Sequence, residues 1–233
     1  MNFDKAYVIG SHEFSSKRLE RFYKMSNSID MEVELWPAIY GLDIDVNQYK
    51  NNGYLSDDFK LSMPGSLGCL LSHVTLWEHC QKDPNCDIAL IFEDDVILNS
   101  DFIDSINRIS LEELPKNWAI IKLSYNKVVG HSFSKSFIKP ELNLGKGINA
   151  GSWCYIINSS FIKDVRNILI PYNNKVSMDV IIRANIDKIN IFFTKEKLAV
   201  HDQVRYSVRK DINRPHVSIF KRIITKLNKK FNS

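Results

Sequence analysis

No stretch of this 233-residue sequence reaches the roughly 18–20 consecutive apolar residues of a membrane span. The start, Met1-Asn2-Phe3-Asp4-Lys5, runs straight into a strand-like segment, without the charged region and apolar core of a secretory leader, so a cytoplasmic protein is expected. The four cysteines, Cys69, Cys80, Cys86 and Cys154, show no Cys-x-x-Cys spacing and are read as reduced thiols. A zinc site built from His79, Cys80 and Cys86 lacks the usual ligand spacing. Internal repeats and low-complexity blocks are also missing. No aromatic-basic interleaving marks a nucleic-acid-binding sheet, so nucleic acid is not an expected partner.

What is there suits one sizeable core. Hydrophobic residues make up 44% of the chain, with 13 Phe, 9 Tyr and 4 Trp, a composition that argues against disorder. The net charge of +4 is unevenly placed. From Val204 to Ser233 nine Lys or Arg face a single acid, Asp211, so this segment carries +8 and the first 203 residues −4. In residues 211–233, Val217, Phe220, Ile224, Leu227 and Phe231 recur at helical steps with lysines and arginine around them. Such a basic amphipathic tail suits the anionic inner face of the cytoplasmic membrane. It could equally dock on the body and show its charges to water.

Apolar runs alternate with helical patterns, the rhythm of an α/β domain over residues 1–210. Strands are predicted at Ala6–Ile9, Glu32–Pro37, Ile88–Phe92, Trp118–Leu123, Trp153–Ile157 and Ile189–Phe193. Helices are predicted at Lys17–Ser28, Ser66–Gln81, Asp101–Ile109, Ser159–Leu169 and Met178–Ile186. Residues 41–63 read as loop with short helical pieces, and 126–150 give no firm reading. Ile88 to Phe92 is a continuous apolar run, as a doubly buried central strand requires.

Directly after that run come Glu93, Asp94 and Asp95. Three carboxylates at the end of a buried strand are costly unless something positive neutralises them. In α/β sheets ligands gather at the carboxyl ends of strands. If the chain stays extended, Glu93 and Asp95 share a face and Asp94 points the other way. Two carboxylates on one face suit Mg²⁺ or Mn²⁺. An acidic turn capping the next helix, with Asn99, Ser100 or Asp101 as N-cap, explains the same residues. The segment alone does not decide between the two.

Its neighbours add information. Gly68-Cys69-Leu70-Leu71-Ser72-His73 and then Trp77 precede Phe92-Glu93-Asp94-Asp95-Val96 by about fifteen residues. Together the blocks resemble glycosyltransferase family 25, the bacterial lipooligosaccharide galactosyltransferases and their collagen-modifying relatives. The usual family pattern is Gly-Cys-x-x-Ser-His-x-x-x-Trp before a Glu-Asp-Asp-Val strand end. Val8-Ile9 with Arg18 is similar to the family's opening strand and downstream arginine. Gly10-Ser11 replaces its usual polar-leucine pair, and Ser66 stands where Glu is common. Tyr155-Ile156-Ile157, Ser177-Met178-Asp179 and His201 with Gln203 and Ser207 resemble later family segments.

The resemblance implies a GT-A-type nucleotide-sugar transferase fold, a single Rossmann-like domain with a mixed central sheet. It also implies an inverting hexosyltransferase that uses UDP-galactose or UDP-glucose and acts on a bacterial surface glycan such as lipooligosaccharide. Such chemistry needs a cation at the departing diphosphate and a base at the acceptor hydroxyl. Glu93 and Asp95 are the metal candidates, with His201 added by analogy to the fold. Asp179 is the candidate base, although Asp in a first helical turn also simply stabilises the helix dipole. Val8, Ser11, Arg18, Ser72, His73 and Asp94 are the donor-binding candidates, and the buried-strand Lys122 a pocket candidate. A metal-dependent nuclease would need an acid two residues before Lys122, where Ile120 stands. The non-enzymatic alternative is a transferase-like domain that binds a glycan or partner without turnover.

Overall fold

The computed structural model describes residues 2–202. The basic tail, with Gln203 and Ser207, lies outside the described residues. Strands β1 (Lys5–Gly10), β2 (Glu34–Pro37), β3 (Ile88–Glu93), β5 (Trp118–Lys122), β6 (Gly130–Ser132), β7 (Phe137–Pro140), β8 (Cys154–Asn158) and β9 (Asn190–Thr194) form one sheet in the order β2-β1-β3-β8-β5-β9-β7-β6. Strand β8 runs antiparallel between β3 and β5, while β2, β1, β3, β5 and β9 share one direction. This is the mixed central sheet expected. A second, two-stranded ribbon pairs β4 (Val96–Leu98) with β10 (Ala199–His201).

Alternation along the central strands divides the interior in two. Tyr7, Ile9, Ala89 and Ile91 face helix α3 (Pro64–Lys82), with α6 (Met178–Ala184) on the same side. Ala6, Val8, Leu90 and Phe92 face helices α1 (His12–Asn27) and α4 (Phe102–Arg108). Helices α2 (Val46–Asn51) and α5 (Ile162–Asn167) complete the set. No helix among the described residues is long and apolar enough to cross a membrane.

Three local outcomes differ from the sequence reading. The acids do not lead into a helix cap: β4 intervenes, and Asp101, which precedes α4, makes no side-chain cap bond. Helix α1 begins five residues before Lys17, with a kink at Ser15, whose hydroxyl bonds the Ser11 backbone. Helix α3, predicted from Ser66, begins at Pro64 and is buried nearly all round. Loop residues Leu55 and Phe59 join its core, and the 38–41 segment lies against its first turns.

That last contact explains two glycines. A Cβ on Gly68 would stand 2.4 Å from the Ile39 carbonyl oxygen, and one on Gly41 2.0 Å from that of Pro64. Ser72 ties the same joint, accepting from Ile39 N at 2.8 Å and donating to Gly68 O at 2.7 Å. Gly68→Ala must therefore push two backbones apart, and a loss of about 1–3 kcal/mol in urea unfolding is expected. An unchanged midpoint and slope would contradict this close packing.

Candidate active site

Strands β1, β3, β5 and β9 present their carboxyl ends on one edge, and nearly all the chemistry-bearing side chains gather there. Asp94 and Asp95 form a turn, so the extended alternation stops at Glu93. As a result the three acids are distributed over both faces of the sheet. Glu93 reaches the α3 side, and Asp94 and Asp95 reach the α1 side.

On the α1 side, Arg18 places its guanidinium 3.1 Å from Asp94 Oδ1 and 3.5 Å from Asp95 Oδ2. Asp94 is only 5% exposed. Burial pushes its pKa up from 3.8 to about 6, against the pull of Arg18 and a hydrogen bond from Ser15. Asp95 Oδ2 lies 3.2 Å from His201 Nε2, while among the described residues Asp95 Oδ1 is buried without a partner. Strand β10 delivers His201 by pairing it with Val96, and the backbone N–H of Asp202 donates to Asp95 O at 2.8 Å. The imidazole stacks on Trp153 at 4.4 Å, and Arg21 pairs with Asp202. The bond to Asp95 raises the His201 pKa, against burial.

These residues fit a hard divalent cation. Adjacent ligands about 2.1 Å from an octahedral ion stand about 3 Å apart, close to the Asp95–His201 separation. Asp95 Oδ1, buried and without a partner among the described residues, supplies a further acceptor. Glu93 does not complete this set: among the described residues the ligand-type group that includes it is Cys69, His73 and Glu93.

That group lies on the α3 side. His73 is 1% exposed, with Nε2 3.3 Å from Glu93 Oε1 and Nδ1 2.7 Å from the Tyr155 hydroxyl. Trp77 Nε1 donates to the same hydroxyl at 2.8 Å. Burial opposes charge on His73, but Cys69 and Glu93 outweigh it and raise the pKa to about 9. Lys122 also acts on Cys69 and Glu93, so positive charge is already in place, and a hydrogen-bonded cluster describes the group better than a metal centre. Lys122 itself is 3% exposed, bonds Ser152 Oγ at 3.2 Å and lies 4.9 Å over the Tyr155 ring. Burial lowers its pKa to about 8, while Asp179 and Glu93 pull it the other way.

Asp179 sits in the first turn of α6, where Ser177 rather than Asp179 is the N-cap, and the Ser177 hydroxyl donates to Asp179 Oδ1 at 2.5 Å. Ser11 lines a shallow open groove of about 490 Å³ beside the end of β1, with Glu13, Ile39, Tyr40, Asp43 and Tyr49. Ser72 fixes the wall of that groove through Ile39. Val8 is wholly inside the core, so its side chain is out of reach of a ligand. Among the described residues His79, Cys80 and Cys86 form no ligand group, and all four cysteines are free. Sequence reasoning missed Tyr155, Trp153 and Ser152 as site residues; their signal is the junction into β8, which the pairing alone brings between β3 and β5.

Acids, imidazoles and cations thus converge at the carboxyl edge of the sheet, where ligands bind in α/β folds. The chain belongs to glycosyltransferase family 25 (LPS biosynthesis protein), whose model matches residues 3–182. It is a glycosyltransferase. No curated protein matches the sequence. Among solved structures, an active-site mutant of LgtC is 10% identical, with 97% of this chain and 95% of that one covered at a TM-score of 0.47. A glycosyltransferase involved in glycosylation of the major capsid of PBCV-1 is 11% identical, with 90% and 97% covered at a TM-score of 0.45. The GlyE glycosyltransferase of Streptococcus pneumoniae TIGR4 is 11% identical, with 98% and 64% covered at 0.44.

The Asp94 pKa gives a pH prediction with a definite sign. The folded state takes up this proton near pH 6 and the unfolded chain near 3.8. The stabilisation from protonation is therefore complete below about pH 4 and lost as the pH rises through 6. Measured in EDTA, Asp94→Asn should be more stable than the wild type at pH 7, and the gap should close towards pH 4. A constant gap across that range would show that burial is not what shifts this group.

Proposed function

We propose that the protein is an inverting, metal-dependent hexosyltransferase of GT-A type that moves galactose or glucose from a UDP-sugar to a hydroxyl of a bacterial surface glycan such as lipooligosaccharide. The observation that carries the reading is Asp95 Oδ1, buried and without a partner among the described residues, beside His201 on the sheet's carboxyl edge. The family's LPS-biosynthesis description supports the acceptor class.

Asp95 and His201 would hold Mn²⁺ or Mg²⁺, which when bound supplies Lewis-acid stabilisation to a departing diphosphate. Arg18, which already faces Asp94 and Asp95, adds fixed positive charge on the same side. The groove beside Ser11 and Tyr40 has the size of a ligand site and takes the nucleoside. Asp179 takes the proton of the attacking acceptor hydroxyl: its Oδ1 is held by Ser177, which leaves Oδ2 for the substrate. Attack opposite the leaving diphosphate inverts the anomeric carbon. The tail 211–233 holds the enzyme at the anionic inner surface of the membrane, close to a lipid-linked acceptor.

Two substitutions separate the roles. Asp95→Asn should abolish the Mn²⁺-dependent part of UDP binding in calorimetry while leaving the fold intact. Asp179→Asn should keep UDP-sugar binding and lose transfer by about 10²–10⁴-fold. Full activity in either variant would remove that residue from the mechanism. Binding of neither UDP nor any UDP-sugar by the wild type would end the donor reading altogether. For the tail, a chain truncated after residue 210 should lose co-sedimentation with phosphatidylglycerol vesicles at about 0.1 M salt; retained binding would place the contact elsewhere.

A further inference from the structure

We propose that Trp153 is a positioning residue of the cation site, its indole holding the His201 imidazole in the plane from which Nε2 reaches the ion; this rests on the metal reading above. His201 sits on a strand of only three residues, β10, and its pairing partner β4 is equally short. A metal-binding imidazole is normally oriented by a hydrogen bond to its other ring nitrogen. Here the bond to Asp95 is made by Nε2, and among the described residues none reaches Nδ1. With Nε2 and Asp95 Oδ2 both turned to an ion, their mutual bond no longer fixes the ring. The stack survives that change. The indole and imidazole centroids are 4.4 Å apart with their planes 27° from parallel, so contact is through the ring faces and both nitrogens stay free in the plane.

The chain around Trp153 is arranged for this contact. Tyr155 belongs to the α3-side core, and strict alternation would put residue 153 there too. Its indole packs instead on the α1-side core, the side of Asp95 and His201. Two contacts set it there. The Trp153 carbonyl accepts from Glu93 N at 2.8 Å, which ties residue 153 to the start of the acidic turn. Gly151, at φ +110°, has no Cβ, and one there would stand 2.7 Å from Trp153 Cζ3 and 2.8 Å from Cε3. Only glycine lets the indole lie back against this backbone. Trp153 therefore holds the turn that carries Asp95 by its main chain and His201 by its ring. One residue sets the spacing of the two ion-facing groups.

The test measures Mn²⁺ binding in the presence of UDP by electron paramagnetic resonance, with circular dichroism to check each fold. The proteins are the wild type, Trp153→Leu, His201→Ala and the double variant. Trp153→Leu keeps apolar bulk but removes the ring, and Mn²⁺ should bind about ten- to a hundredfold more weakly. Because Trp153 acts through His201, the double variant should bind no more weakly than His201→Ala alone. Trp153→Phe, which retains a flat ring, should recover most of the loss. Unchanged affinity in Trp153→Leu, or losses that add in the double variant, would overturn the proposal while leaving the metal site standing. A wild type that binds no Mn²⁺, or a His201→Ala variant that binds it as well as the wild type, would end the role of His201 as a ligand and this proposal with it. Should Trp153→Leu not fold, Gly151→Ala displaces the indole from behind. A loss of Mn²⁺ affinity that disappears on the His201→Ala background would then support the proposal, and undiminished affinity would overturn it.

Discussion

Carboxylates at the end of a fully buried strand have to be neutralised where they stand, and this constraint organises the carboxyl edge of the sheet. Strand β3 is sealed on both faces up to Phe92, after which Glu93, Asp94 and Asp95 emerge together. The turn at Asp94–Asp95 relieves their mutual repulsion by sending them to different sides. Each side then brings its own positive groups: Arg18 and His201 on one, His73 and Lys122 on the other.

The two sides differ in how completely that need is met. Glu93 is met by an imidazole whose far nitrogen is fixed through Tyr155 and Trp77, a chain of buried bonds that leaves little freedom. Among the described residues Asp95 keeps an oxygen without a partner, whereas Lys122 bonds Ser152 and lies over the Tyr155 ring. Rigidity and unspent capacity alternate around the edge. A site that must hold a ligand needs both, because fixed groups do not reorganise on binding and unpaired ones gain a partner.

Much of this was legible in the sequence, and the reason differs by element. The buried strands announced themselves as apolar runs, since a strand covered on both faces has no polar side to show. The Gly-Cys and Glu-Asp-Asp blocks were readable as a pair because their separation, one helix and one turn, is local. Residues whose roles depend on strands far apart were harder to place. Nothing near Tyr155 or Ser152 in the chain says that β8 inserts between β3 and β5. The expected common face for Glu93 and Asp95 assumed an extended chain, whereas three consecutive charges favour a turn. The short strands β4, β6 and β7 carry too few residues for a period to show.

The pairing of β10 with β4 has a consequence for the order of events in folding. It joins His201 to Val96 across a sequence separation of about a hundred residues, whereas β1, β3 and α3 lie within the first half of the chain. A contact between segments so far apart needs the intervening loop closed first, and this one cannot form before residue 201 has been made. During synthesis the sheet around β3 can therefore be in place while Asp95 still lacks its imidazole. The contact between Asp95 and His201 is therefore completed only after residue 201 has left the ribosome, so this part of the carboxyl edge would mark a late stage of folding rather than its beginning.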